Sequence, residues 1–283
     1  MLTNGSRRDP YANAAASAQL DLFIAGADRT ERSSAEPPPI RRGLECESLD
    51  DDSLIAAIRE AGISDVLALV AEVGRRGSTG AIPALEALCQ RFSGFGADRI
   101  IPEQAAALDA LAAIGGRDAA LAVARLIVGR AVQGPCLRNA VSVAAGLRAR
   151  LPAAMLLELL HHQDARIRSD GCRCSHDCRA AIPRIRDLLD DLHPEVRTAA
   201  ACALGQMGHS EARAFLARCL RETPSAEVID GITGIADEEC MILLGRIART
   251  VPSLTEPVLD ALDAIGHPRA VKIAADVRAN WPG

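Results

Sequence analysis

From about residue 50 onward, apolar residues recur at the spacing of three and four positions that is typical of helices. Gly, Pro, Asp and Ser interrupt this pattern at intervals of roughly ten to fifteen residues, and the alternation typical of strands is absent. The pattern predicts an all-α chain. We place helix pairs near 64–91, 102–130, 136–161, 164–190, 194–221, 225–249 and 253–279, with one additional helix near 52–62.

The predicted helices belong to an internal repeat. The segments that resemble one another are ALDALAAIGGRDAALAVARLI (107–127), AAACALGQMGHSEARAFLARCL (199–220) and VLDALDAIGHPRAVKIAADV (258–277). Each predicts a helix, a turn that contains glycine, and a second helix. The turn glycines Gly115, Gly208 and Gly266 are three and two periods of roughly thirty residues apart. Because a single helix pair cannot bury its apolar face, this period predicts an α-solenoid in which neighbouring pairs stack.

One repeat carries a family resemblance. The segment HPEVRTAAACALGQMGHSEARAFLARCL (193–220) resembles a HEAT repeat along nearly its whole length, in the short bacterial form of the phycobilisome-lyase HEAT-like repeats. The resemblance extends over about residues 64–280, as roughly seven repeats. It implies a right-handed α-solenoid whose concave groove binds a protein partner. We therefore predict a solenoid domain at 49–283 and a largely disordered, flexible tail at 1–48.

A hydrophobic residue followed by arginine recurs at the same position of successive repeats. These arginines are Arg138, Arg168 and Arg197, which are spaced by roughly thirty residues. The HEAT resemblance implies that they form an internal ladder with acidic neighbours such as Asp164 and Glu195. Such a ladder would hold adjacent repeats in register.

The segment RFSGFGADRII (91–101) breaks the period after the first repeat. We interpret it as a surface insertion in which Phe92 or Phe95 is tucked against the solenoid, with a binding loop as the alternative.

The segment CRCSHDC contains the residue types of a metal site, Cys172, Cys174, His176 and Cys178. On a helix, however, the first and third of these share one face and the other two point nearly the opposite way. Alignment with the next repeat places Cys174 on Ala203 and Cys178 on Met207, which are core positions. We predict small buried hydrophobes and no metal or other cofactor. The alternative that stays open combines two cysteines with His161, His162 or Cys202.

Composition narrows the function classes. The chain has 283 residues, a net charge of −5 and 2% aromatic residues. A negative body argues against direct nucleic-acid binding, since phosphate contacts need Lys and Arg. No apolar run reaches the ~18–20 residues that span a bilayer, so we expect no membrane association. Asp21 interrupts the apolar stretch that follows Arg7 and Arg8, so we predict no signal peptide and a cytoplasmic protein with reduced thiols.

Enzymatic members of related solenoid families use residues that this chain lacks. It has no His-Glu dipeptide of the kind that binds the di-iron centre of deoxyhypusine hydroxylases. Its one tryptophan, Trp281, and its negative charge differ from the basic, aromatic groove of the HEAT-like alkylpurine DNA glycosylases. We therefore predict a non-enzymatic scaffold, although the residues leave a phycobilin-lyase-like activity open.

A short peptide in the predicted tail supplies the functional hypothesis. Gln19, Leu20, Asp21, Leu22 and Phe23 resemble the pentapeptide by which bacterial polymerases and repair factors bind the DNA sliding clamp. The resemblance implies that Leu22 and Phe23 fill an apolar pocket of the clamp while Gln19 binds a second subsite. It further implies that the chain is a non-enzymatic accessory factor in DNA replication or repair, tethered to the sliding clamp.

The alternative is that residues 12–24 form an amphipathic helix docked on the solenoid, with Leu20, Phe23 and Ile24 on its buried face. The chain would then be a general HEAT-like scaffold, or a chaperone-like or lyase-like protein unrelated to DNA. Leu22 points away from that face, so it distinguishes the two interpretations.

Overall fold

The computed structural model describes residues 46–280, in which all regular structure is helical. It contains fifteen α-helices, which we number in chain order. They are α1 (Asp51–Glu60), α2 (Ile63–Arg76), α3 (Ile82–Arg91), α4 (Pro102–Ile114), α5 (Gly116–Val128), α6 (Gly134–Gly146), α7 (Ala153–Leu160), α8 (Ala165–Arg173), α9 (Ile182–Asp187), α10 (Pro194–Gln206), α11 (Arg213–Glu222), α12 (Ala226–Thr233), α13 (Glu238–Thr250), α14 (Thr255–Ile265) and α15 (Pro268–Asn280). Short 3-10 turns lie at Cys46–Ser48, Thr79–Ala81, Arg179–Ala181, Leu188–Asp190, Ser210–Ala212 and Pro252–Leu254.

Helices α2 to α15 form seven consecutive pairs, and α1 packs on the first pair. The first helices of the pairs (α2, α4, α6, α8, α10, α12 and α14) lie side by side and contact one another along the chain. The second helices form the other layer. The predicted α-solenoid and its helix pairs are thus confirmed. Within the described residues, no helix is both long and apolar enough to cross a membrane.

Local signals explain where the helices begin and end. The N-cap carboxylate of Asp50 accepts a hydrogen bond from the Ser53 backbone at 2.7 Å, and Asp237 does the same for Cys240 at 3.0 Å. Such caps each contribute about 1 kcal/mol, because they satisfy a backbone N–H that the helix leaves free. Gly266 ends α14 in the left-handed conformation, with a φ of 63° that glycine adopts without steric cost.

Small residues let the first helices approach one another closely. A Cβ at Gly205 in α10 would overlap the backbone carbonyl of Gly231 in α12, and a Cβ at Gly231 would lie 2.8 Å from the Cα of Cys202. At the other end of the solenoid, a Cβ at Gly74 in α2 would lie 3.1 Å from the Cα of Ala110 in α4. The abundant alanine and glycine therefore serve helix packing in the first layer.

One buried polar side chain connects three helical segments. Gln104 in α4 is 0% exposed, and its Nε2 donates to the carbonyls of Cys89 and Ala131 at 2.9 Å each. These two acceptors lie at the end of α3 and just after α5. The amide therefore ties the first two helix pairs together by hydrogen bonds that an apolar residue could not make.

Candidate protein-binding groove

Three hollows follow one another along the first helices. The first, of about 620 Å³, lies against α6, α8 and α10, and its walls include Arg138, Arg166 and Arg173. The second, of about 320 Å³, shares Arg173 and continues to Asp230 in α12. The third, of about 350 Å³, shares Asp230 and ends against Asp260 in α14. We call these three connected hollows the first-helix groove.

Arg173 crosses the middle of this groove. Its Nη1 donates to Asp170 at 2.7 Å, while its Nε and Nη2 donate to the two carboxylate oxygens of Glu227 at 2.7 and 3.0 Å. Arg173 ends α8 and Glu227 lies in the first turn of α12, so the ion pair passes over α10, whose small residues Ala199 and Cys202 line the same hollow. In a flat layer, helices two positions apart would be roughly 16–20 Å apart. Small residues at the contact of α10 with α12 hold these first helices close enough for one pair of side chains to close that gap.

The ion pairs of Arg173 with Asp170 and Glu227, which we call the Arg173 bridge, shift the pKa values of Arg173 and Asp170. Hydrogen bonding to Glu227 raises the pKa of the Arg173 guanidinium, so this cation stays charged. Burial raises the pKa of Asp170, while its hydrogen bond from Arg173 lowers it. The groove thus contains a partly exposed ion-pair network at its centre, in which only the Asp170 side chain is largely buried.

Opposite charges without ionic partners lie toward the two ends of the groove. Arg166 in the first hollow forms no ion pair with any residue between 46 and 280, and the same is true of Asp230 and Asp260. Asp230 accepts a hydrogen bond at 2.6 Å from the neutral amide of Gln206. Glu195 also lines the first hollow.

Two of the three ladder arginines, Arg138 and Arg168, pair with acidic side chains, whereas Arg197 donates only to backbone carbonyls. Arg138 donates its Nε to Asp164 at 2.8 Å. Arg168 donates its Nε and Nη2 to Asp191 at 2.9 Å each. Glu195 is not part of the ladder, contrary to the expectation from the sequence. Arg168 pairs with Asp191 in the loop before α10, and not with Glu195 in the first turn of α10.

Asp191 is the electrostatic centre of this ladder. Burial raises its pKa, but the guanidinium of Arg168 and the backbone N–H of His193 lower it further, to about 2. Arg197 of the next rung donates to the backbone carbonyl of Asp191 at 2.8 Å. Asp191 therefore accepts hydrogen bonds from arginines of two successive repeats.

The cysteine segment lies at an irregular pair, since α8 ends at Arg173 and α9 is short. Cys174 is buried in the N-terminal part of the apolar core and Cys172 in the C-terminal part, while Cys178 is half-buried between them. Burial raises the pKa of both Cys172 and Cys174 to about 12. Within the described part of the chain, no group of three or more His, Cys, Asp or Glu side chains is arranged to hold a metal ion.

The insertion after α3 forms part of the groove wall. Phe92 packs against the core, as predicted for one of the two phenylalanines, whereas Phe95 is 59% exposed. Ile100, which sequence reasoning did not single out, is 62% exposed and lines the first hollow. A Cβ at Gly134 would overlap the carbonyl of Ala97, so the loop packs directly on the start of α6.

The predicted clamp-binding residues Gln19, Leu20, Asp21, Leu22 and Phe23 lie outside the described residues. The groove residues Arg173, Glu227, Asp230 and Asp260 were not predicted. A signal for them was present, because α12 and α14 contain five carboxylates and no basic residue.

The fold and the groove define an α-solenoid of HEAT-like helix pairs. A family model described as HEAT repeats matches residues 153–236. The solved complex of CpcE and CpcF of phycocyanin lyase from Nostoc sp. PCC7120 is similar in fold, with a TM-score of 0.56 and 16% identity over 89% of this chain and 99% of that chain. The Escherichia coli protein YibA has a TM-score of 0.40 and 13% identity, over 84% and 100% of the two chains. Comparison with curated proteins gives no match.

Proposed function

We propose that this protein is a non-enzymatic interaction scaffold that holds a segment of another protein in the first-helix groove. The observation that carries the proposal is the continuity of the groove from α6 to α14, through three hollows that share residues. Concave surfaces of stacked repeats are well suited to binding an extended partner, because each repeat adds contact area without changing the fold.

The groove contains charges that a partner can neutralise. Several charges on or beside the second helices pair with one another across repeats. These pairs are Arg125 with Glu86, Arg186 with Glu211, Arg221 with Glu239, and Arg249 with Asp276. In the groove, Arg166, Asp230 and Asp260 lack such partners among the described residues. A protein partner can supply complementary charges there, which would give both orientation and specificity.

Site-specific photo-crosslinking tests the proposal. Benzoylphenylalanine is introduced at Ser142 in the first hollow or at Ala264 in the third, and the full chain is irradiated in an extract of its source cells. Leu121 and Ile242, which are exposed on second helices, are the control positions. We expect the same discrete adduct from both groove positions and none from the controls. Adducts that form only from the second-helix positions would refute the groove as the binding surface.

We also propose that Gln19–Phe23 tether the scaffold to the DNA sliding clamp, which would make it an accessory factor in DNA replication or repair. The support is the match of this pentapeptide to the clamp-binding consensus and its position in the sequence before Pro37, Pro38 and Pro39, which disfavour helix where they stand. Burial of Leu22 and Phe23 would contribute about 1.5–3 kcal/mol each. Ordering the peptide opposes this gain, so we expect a roughly micromolar Kd.

The tether is tested with Leu22→Ala combined with Phe23→Ala, and Ser33→Ala combined with Ser34→Ala serves as the tail control. We expect the first double variant to lose binding to purified clamp and to keep the wild-type thermal melt. Binding at the wild-type level would contradict the tether. A lowered melt would instead support the alternative, a helix at residues 12–24 docked on the solenoid of a scaffold unrelated to DNA.

A further inference from the structure

The C-terminal half of the first-helix groove is acidic. Helices α12 and α14 together contain five carboxylates and no arginine or lysine. Two of the five are neutralised from elsewhere, Glu227 by Arg173 and Asp263 by Arg278. The other three form no ion pair with a described residue. They are Asp230, Glu256 and Asp260.

The lining of the third hollow combines two carboxylates with apolar side chains. Asp230 and Asp260 lie on its two helical walls, and the rest of its lining is largely apolar, with Ile229, Pro257 and Ala261 among it. A lysine or arginine has the matching chemistry, because its aliphatic stem packs on apolar surface while its charged end pairs with carboxylates. An acidic side chain would instead meet two unneutralised carboxylates.

The first hollow of the same groove is mixed in charge. Three arginines line it, and Arg166 forms no ion pair with a residue between 46 and 280. Glu195 and Asp170 share that hollow, and the other two arginines already pair with carboxylates. A basic side chain is therefore best accommodated at the α12–α14 end.

We infer that the partner segment held by the groove is basic where it crosses α12 and α14, and that it places an arginine or lysine side chain between Asp230 and Asp260. This inference rests on the proposed groove function. It adds the chemical class of the partner and the position of its basic residue.

The probe is a short, fluorescently labelled helical peptide with arginines on one face. Its binding to the full chain is measured by fluorescence anisotropy. Its neutral counterpart carries citrulline at the same positions, and its acidic counterpart carries glutamate. We expect the arginine peptide to bind at least about tenfold more tightly than the citrulline peptide, because charged hydrogen bonds are the stronger ones. Tighter binding of the glutamate peptide would overturn the inference.

Protein variants locate the binding. Asp230→Asn combined with Asp260→Asn should weaken binding of the arginine peptide by at least about fivefold, since two pairs of roughly 0.5 kcal/mol each are lost. Asp118→Asn combined with Glu222→Gln removes the same net charge from exposed second-helix positions without ion pairs in the described region, and it should leave binding unchanged. Arg166→Gln should not weaken binding. Equal losses in the two double variants would show attraction to net charge only and would refute the site.

The outcomes separate the two proposals. Crosslinking from Ser142 and Ala264 without any preference for arginine would overturn the basic-segment inference and leave the groove function supported. Crosslinking confined to the second-helix positions would overturn the groove function, whatever the peptides show. Thermal melts of both double variants check the fold, which these exposed carboxylates do not stabilise through ion pairs.

Discussion

Replacing Asp191 by asparagine should destabilise the middle of the solenoid, because it removes the counter-ion of Arg168. The side chains of this pair are only 9% and 11% exposed, and two hydrogen bonds of 2.9 Å join them. Asparagine keeps one acceptor oxygen but not the charge. The guanidinium would then remain poorly solvated without an anion beside it.

The expected loss is about 2 kcal/mol in the free energy of unfolding. Breaking a fully buried pair costs about 3–5 kcal/mol and breaking an exposed one costs less than about 1 kcal/mol. Arg168 also donates to the backbone carbonyls of His162 and Gln163, which keeps part of its hydrogen bonding in the variant. A loss of this size lowers the Tm by roughly 4–8 °C in a chain of this length.

The pH dependence provides an independent check. Because the folded pKa of Asp191 is lowered from 3.8 to about 2, its contribution is fully present above about pH 4 and is lost as the pH falls toward 2. Thermal melts followed by far-UV circular dichroism should therefore show a difference between wild type and Asp191→Asn that shrinks over this range. Asp190→Asn, at an exposed neighbour without an ion pair in the described chain, is the control. The reasoning is refuted if the two variants melt alike at neutral pH.

Three further predictions test the packing and burial of side chains. Gln104→Glu should lower the urea midpoint more than Gln104→Met, because a carboxylate would face two carbonyls that now accept from an amide N–H. Gly205→Ala should unfold the chain at lower urea than Gly146→Ala, since a Cβ overlaps backbone only at the first position. Cys178 and Cys219 are half-buried and the other seven cysteines are buried, so only these two should react quickly with a thiol reagent. Changing both to serine should abolish the rapid phase, and a rapid phase that persists would show that the core opens.

The helix pairs were predictable because their signals are local. A period near 3.6 sets the buried face of each helix, and a glycine with positive φ ends it, as at Gly208 and Gly266. Cys174 was predictable for a related reason, since it occupies the position that Ala203 takes in the next repeat, and both are buried. Repeat alignment transfers core positions well because every repeat must bury the same face.

The ladder partners and the groove were harder to predict, because neither follows from the repeat alone. Asp191 and Glu195 are both acidic and both near Arg168 in the chain, and only the path of the loop before α10 decides which of them it reaches. The bridge from Arg173 to Glu227 joins residues 54 positions apart, which skips a whole repeat. Such contacts depend on how closely three successive first helices pack, which no single repeat specifies.

Close helix packing connects the composition of the chain to its proposed function. Alanine, cysteine and glycine in α10 let α8, α10 and α12 pack closely, as the overlap of a Cβ at Gly205 with Gly231 shows. Close packing shortens the distance across α10, and Arg173 can therefore reach Glu227 within hydrogen-bond distance. The bridge neutralises one carboxylate of α12 and leaves Asp230 and Asp260 available beyond it. The same small residues that fill the core therefore determine which charges of the groove a partner can reach.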